Sequence, residues 1–423
     1  MSRTLWLLYY YSPPADADLP TLLPRLLVSG LLVAARIVES FDDALVGYWS
    51  DRTRSRLGRR TPFVLAATPL WALFAFLLFT PPADAGRAAT AIYLFIALEL
   101  FFFFGTLASG PYEALLPELA RRSADRVSIV GFKVYLGAAG AGFGFVVSSL
   151  VKDAFGFQAM ALLMAALALA TRYLGLFGVW GRAKQTAPPA EISLRDSLRA
   201  TASNRALLAF LPTFVFFQIG FQLLVTVLPF WVNAILRVDE EGTWVAILTG
   251  TALVFAVATV PVLAIAARRT SKQHVYRASM LMAAATFPLL FFAGFVPGVR
   301  AEVEIIVVAA LAGVAVAGNY LFPAALTADI VDDDAARLGH RREATYYGAQ
   351  NFVEKTVTSI SPLLLTLLLF LGETSENPLG IRLVGIAAGL AVLFGYFSFR
   401  RYALPDEIPL EAIAAPSVAT TRS

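Results

Sequence analysis

The sequence predicts an all-α polytopic membrane protein. Hydrophobic residues make up 58% of the 423 positions and charged residues only 15%, where a soluble domain carries about a quarter charged. Mean hydropathy is +0.69. Apolar runs recur at the length of roughly 20 residues that a helix needs to cross the hydrocarbon core.

Taken in order, these runs predict spans near 22–49, 61–80, 88–116, 127–151, 156–180, 206–236, 244–267, 275–296, 303–331, 344–371 and 380–399. Each interval between them carries charges, prolines or glycines that end an apolar run. Several spans exceed the bilayer thickness and so tilt or project from it. The segment Gly181 to Asn204 is the longest interval and holds Pro188, Pro189, Arg182, Lys184, Arg195 and Arg199. It divides the chain into 1–180, an N-terminal bundle; 181–204, a linker; 205–402, a C-terminal bundle; and 403–423, a tail. The halves echo each other: Ala114-Leu-Leu-Pro-Glu118 closes one span and Ala325-Leu-Thr-Ala-Asp329 another, as in a parallel repeat.

Basic residues set the orientation. Intervals 50–61, 117–126, 181–205, 268–277 and 332–343 carry 5, 3, 5, 4 and 3 Lys or Arg, and the alternating intervals one each. The first set is therefore cytoplasmic, and Arg400 and Arg401 place the C-terminus on the same side. The protein is expected in the cell's inner (plasma) membrane. With no cysteine, disulfides and thiolate metal sites are excluded. Met1 to Tyr11 is too short and too aromatic for a cleavable signal.

The interval after the first full span reads Gly47-Tyr-Trp-Ser-Asp51-Arg52-Thr-Arg54-Ser-Arg56-Leu-Gly58-Arg59-Arg60. Five arginines alone fit an ordinary positive-inside loop, but the glycines and aspartate at these spacings carry more. The pattern resembles the loop after the second helix of major facilitator transporters. Its longer Arg-x-Arg-Ser-Arg spacing is similar to the glycoside–pentoside–hexuronide cation symporter family, which includes the melibiose permease. The resemblance implies the major facilitator fold, two six-helix bundles around a central cavity. It also implies that Leu5-Trp-Leu-Leu-Tyr-Tyr-Tyr11 is the outer end of a first helix. Helix I would then be largely missing through a late start codon or truncated gene, leaving about eleven complete helices. The alternative is a genuine eleven-helix protein.

Charges inside membrane spans are costly and default to functional candidates. Arg36, Glu39 and Asp43 are spaced i, i+3 and i+7 and share one helix face. Two carboxylates one turn apart offer hard oxygen ligands to a cation, or hold a proton; the competing reading is a structural ion cluster. The resemblance implies that Glu39 and Asp43 bind the cation. Ser109-Gly-Pro111-Tyr112-Glu113-Ala-Leu115-Leu-Pro117-Glu118 resembles the family's fourth helix. At its sugar-holding aspartate and tryptophan positions, however, this chain has Ser109 and Glu113. That departure speaks against galactoside recognition. Glu113 either replaces the lost carboxylate or pairs with Lys133 or Lys355.

The resemblance further implies Lys133, Gln350 and Lys355 on the cavity, with Lys355 and Arg36 pairing to the carboxylates. A purely structural ion pair remains open for Lys355. Tyr320 faces either solute or lipid. Gln218, Gln222 and Asn233 add hydrogen-bonding capacity, whereas Gly137, Gly140, Gly142 and Gly144 more simply permit close helix packing. Gly47, Asp51, Arg52, Gly58, Arg59, Arg60, Glu118, Arg126, Asp329 and Asp332 form a cytoplasmic gate in this reading.

The function so implied is secondary active transport, a cation symport with H+ or Na+ driving carbohydrate uptake by alternating access. The partners are a small solute, expected to be a sugar, a monovalent cation and the bilayer, with the chain a monomer. No cofactor or metal is expected, and no nucleotide-binding loop appears. A membrane enzyme needs a catalytic set within the spans, yet His274 and His340, the only histidines, fall in loops. A lysolipid carrier of the same wider family and a non-transporting sensor or inactive carrier are the remaining alternatives.

Overall fold

A computed structural model describes residues 2–17, 19–53, 55–58, 60–82, 86–113, 123–180, 204–238, 240–338 and 343–404. Among them the chain is helical and contains no strand. The helices are α1 (Ser2–Tyr11), α2 (Arg25–Arg52), α3 (Thr61–Leu77), α4 (Arg87–Glu113), α5 (Ser123–Val179), α6 (Arg205–Trp231), α7 (Glu241–Arg269), α8 (Lys272–Thr286), α9 (Leu289–Phe292), α10 (Ala301–Leu338), α11 (Glu343–Leu369) and α12 (Leu379–Phe399).

Local chemistry explains several boundaries. Gly156 bends α5 into two membrane segments, with φ 83° and ψ 175° inside the run, a conformation that only glycine adopts without strain. Gly58 supplies a left-handed turn, φ 91°, before α3, which then opens with Pro62 at its first turn, where no amide donor is needed. The Ser271 hydroxyl caps α8 by accepting from the His274 amide. A five-residue π turn, Val232–Leu236, follows α6 and ends on Arg237 with φ 55°. Prolines 69, 111, 261, 323 and 362 lie inside helices, tolerated in membrane helices where neighbours re-satisfy the freed carbonyls.

Seven described helical stretches are long and apolar enough to cross a membrane by composition, among them Arg87–Tyr112, Gly140–Gly178, Glu241–Arg269 and Leu379–Phe399. Of the others, α2 carries its charges at mid-length, and α3 has only 17 residues.

The chain forms two compact units. The first comprises Met1–Ala190, Thr226–Gly250 and Pro362–Ile381; the second, Glu191–Val225, Thr251–Ser361 and Arg382–Ser423. The units are thus cut differently from the sequence halves: two stretches from beyond residue 204 belong with the first 190 residues. In the first unit, α4 packs on α2 and α3, and α1 on α2 and α5. Trp6, Tyr10 and Phe79 gather around Phe157, with ring centroids 4.8–6.1 Å away. The second unit is cored by Phe210, Phe217, Tyr276, Phe287, Phe322 and Phe399, with α8 against α10.

Close helix approach does not occur at three of the four glycines that the sequence singles out. A Cβ added at Gly137, Gly140 or Gly144 would meet nothing within 4 Å, so these glycines make no tight contact among the described residues. Tight crossings occur elsewhere, among them at Gly220, Gly313 and Gly318 in the second unit, where a Cβ would press on Ala388, Ala252 and Ser279. Small residues matter where two backbones meet, and a glycine run does not by itself say where that is.

Candidate functional site

The mid-membrane charges of the first unit centre on α2. Arg36 Nη1 donates to Glu39 Oε2 at 2.6 Å, with the two side chains 16% and 7% exposed. The Arg36 guanidinium also lies over the Phe102 ring of α4, 4.2 Å from its centroid. Helical spacing makes this pair possible, since residues three apart are neighbours on one face. Burial makes it consequential, because loss of Glu39 would take the anion from a part-buried guanidinium. Asp43 lies one turn further along α2, with its side chain outside the described set.

A carboxylate that the sequence reading passed over joins this region. Glu99, in the middle of α4, lies within electrostatic range of Asp42 and Glu39. Its Oε1 is buried without a hydrogen-bond partner among the described residues. The same rule that singled out α2, a charge inside an apolar span, also applies to Glu99.

Arg172 in α5 was missed in the same way. Its Nη2 donates to Ser109 Oγ at 3.0 Å, and its guanidinium lies over the rings of Tyr112 and Trp71 at 4.7 and 5.7 Å. Ser109 is therefore engaged by an arginine in this structure. Gly175, one turn from Arg172, lets the Tyr112 hydroxyl come up against the α5 backbone.

In the second unit, polar side chains meet between helices. Asn319 Nδ2 donates to Gln218 Oε1 at 3.2 Å, and Thr327 Oγ1 donates to Gln350 Oε1 at 2.8 Å. Tyr320 packs edge-on to Phe221, centroids 6.4 Å apart. Lys355 is half-buried on α11. Asp329 accepts from Lys272 Nζ at 2.8 and 2.6 Å, a partner that the gate reading did not name. Asp332 is half-buried on α10, and Arg60 is the residue preceding α3.

Other candidates cannot be placed. Gly47, Asp51, Arg52, Glu113, Arg126 and Lys133 lie on described helices, but their side chains fall outside the described set; Arg59 and Glu118 lie outside the described residues.

An extended polar network stands at the arginine-poor ends of the helices, in the first unit. Lys152 Nζ bridges Asp153 Oδ1 at 3.1 Å and Glu241 Oε2 at 3.2 Å. The Tyr9 hydroxyl donates to Glu241 Oε1 at 2.6 Å and Asn233 Nδ2 to the same oxygen at 2.8 Å. Asp153 accepts from the amides of Gly242 and Thr243 at 2.8 and 2.5 Å. Nearby, Arg25 pairs with Glu373 and Arg237 donates to the Ser375 carbonyl at 2.7 Å. Asn233, read as a solute contact, is engaged in this network. No local sequence signal pointed to it, because Tyr9 and Glu241 are 232 positions apart.

A helical chain with membrane-length spans and charges buried at mid-span is a multi-pass membrane protein of the transporter class. The MFS/sugar transport protein family matches residues 3–378, and the chain belongs to that family. It is 24% identical over 192 residues to the isoprimeverose transporter of Lactiplantibacillus pentosus, covering 42% of this chain and 39% of that one. It is 25% identical over 189 residues to the inner membrane symporter YicJ of Escherichia coli, covering 43% and 40%. It is also 29% identical over 112 residues to the sodium-dependent lysophosphatidylcholine symporter 1 of Xenopus tropicalis, covering 26% and 21%. The alignments thus span well under half the length of these relatives. A crystal structure of the nucleoside transporter NupG, in a mutant form, superposes with a TM-score of 0.66 over 95% of this chain and 97% of that one. At 14% identity it shows a shared fold.

Proposed function

We propose that the chain is a secondary active transporter that couples H+ or Na+ to uptake of a sugar or glycoside by alternating access. The observation that carries this reading is the buried Arg36–Glu39 pair at mid-span. Such a pair is a poor source of stability but offers a carboxylate whose partner changes when a cation binds. Glu39 and Asp43 are the proposed cation ligands, with Glu99 a third carboxylate beside them. Arg36 and Lys355 balance the charge. Ser109, Glu113, Lys133, Tyr320, Gln350 and Lys355 are the proposed solute contacts. Binding of both ligands must favour one state over the other, since a ligand shifts an equilibrium only by its differential affinity.

In this reading residues 1–180 and 205–402 are the two bundles, joined by 181–204. The protein sits in the plasma membrane as a monomer with its C-terminus cytoplasmic. The arginine-rich loop, with Asp329 and Asp332, gates the inner side. The relatives named above are transporters or symporters, which supports transport over enzymatic function. The lysophosphatidylcholine symporter among them supports a second reading, an amphiphile carrier.

The test is uptake into proteoliposomes across a panel of sugars, glycosides and lysolipids, with and without a sodium or proton gradient. Gradient-driven accumulation of a sugar that Asp43→Asn abolishes, while downhill exchange persists, supports the reading. Full accumulation by Asp43→Asn removes that residue from the mechanism. Uptake of lysolipid alone moves the assignment to the second reading.

A further inference from the structure

We propose that Lys152, Asp153, Tyr9 and Glu241 form an outer latch that grips the N-terminus of α7 and is released each time the outer side opens. The inference rests on the alternating-access reading above and goes beyond it. The sequence pointed to a gate on the cytoplasmic side alone, whereas this network lies at the opposite helix ends.

The first turn of any helix leaves amides without intrahelical partners. In α7 two of these, at Gly242 and Thr243, are satisfied by the carboxylate of Asp153, some 90 positions earlier in the chain. The cap therefore comes from the other sequence half. Lys152 answers two carboxylates at once. The positive end of the α7 dipole, about half a charge, supplies further compensation for Asp153. Lys152 also lies over the rings of Trp6 and Phe157, at 5.1 and 5.7 Å, so the aromatic face of α1 forms one side of the latch.

The fit depends on Gly242. A Cβ built there would lie 2.6 Å from Asp153 Oδ1 and closer still to the Ser149 carbonyl. A methyl group therefore cannot enter without parting α5 from α7. Every member is a group that water satisfies equally well once the segments separate, which suits a contact that must open repeatedly. Gly156, the bend in α5, lies three residues beyond Asp153.

The experiment uses the full chain, whose lack of cysteine makes any introduced thiol unique. Ser29→Cys is the reporter. Ser29 is fully buried and contacts Thr366 at 2.7 Å, one helical turn inward of Arg25. Labelling by a membrane-impermeant maleimide from the outside should be slow in the otherwise unaltered chain. Asp153→Ala and, separately, Gly242→Ala should each raise it roughly tenfold or more, the signature of a population shift. Arg300→Ala, which breaks the exposed Arg300–Glu302 pair at the same membrane face, should leave it unchanged. A second reporter, Thr213→Cys, is fully buried in the other unit and labels only if the fold is lost. Unchanged labelling of Ser29→Cys in both latch variants overturns the inference. So does a rise accompanied by equal labelling of Thr213→Cys, which marks unfolding instead of opening. Labelling needs no solute: failure of uptake with the expected labelling shift would sink the transport reading and leave the latch standing.

Discussion

Two charged regions of the first unit are built in opposite ways. Arg36 and Glu39 are three residues apart on one helix and meet at 2.6 Å. Tyr9 and Glu241 meet at the same distance from 232 positions apart. The first pair is a consequence of helical periodicity and needs no second segment to bring its members together. The second exists only while distant segments are together. A local buried pair keeps its groups within reach of each other while partners exchange, whereas a long-range network has the geometry of a switch.

The largest expected effect tests the local pair. Glu39→Gln leaves the Arg36 guanidinium buried without its anion and should lower stability in detergent by about 3–5 kcal/mol. The double variant Arg36→Met/Glu39→Gln should recover most of that loss, because no isolated charge remains. Thermal or denaturant unfolding of both proteins measures it. A double variant as unstable as the single one would mean that Arg36 and Glu39 are not a unit.

Next comes the long-range network. Tyr9→Phe removes a hydrogen bond to a carboxylate and should cost about 1.5–3 kcal/mol. Its effect should be non-additive with Glu241→Gln in a double-mutant cycle. Strict additivity would show that the phenol and the carboxylate act independently, which removes the contrast drawn above.

A smaller effect of opposite sign is expected at Glu99. Its Oε1 has no hydrogen-bond partner among the described residues, so Glu99→Gln should leave stability unchanged or raise it by about 1 kcal/mol. A loss beyond ~2 kcal/mol would reveal a stabilising role for the carboxylate itself.

The smallest effect is set for the Lys272–Asp329 pair, whose side chains are 29% and 20% exposed. Lys272→Ala should cost about 0–1 kcal/mol, because solvent screens such a pair. The cost should shrink further in high salt. A salt-independent loss of several kcal/mol would place this pair with the buried ones.

Much of the fold was legible in advance, for identifiable reasons. Apolar runs of membrane length predicted the helices, and the structure forms a helix in each of the eleven intervals named. The short interval 151–155 separated two spans that the structure keeps in one run bent at Gly156. The arginine loop from Arg52 to Arg60 carried the family, which the match over residues 3–378 establishes. The site was less legible. Glu39 and Arg36 were found because a charge in an apolar run is conspicuous. Glu99 and Arg172 are charges in apolar runs of the same kind, but neither belongs to a motif. Of the α5 glycines, Gly137, Gly140 and Gly144 make no close approach, whereas Gly220, Gly313 and Gly318 do.

The sequence by itself determined the solvent of this protein, where its apolar helical runs lie, and which residues share a helix face. Those properties follow from hydrophobicity and from the 3.6-residue period. Only the tertiary structure decided that Asp153 caps α7, that Arg172 reaches Ser109, and that Glu241 gathers Tyr9, Asn233 and Lys152. Each of these joins residues tens to hundreds of positions apart. No period or local propensity links such residues; they meet because helices pack, and the packing fixes which polar groups must satisfy one another.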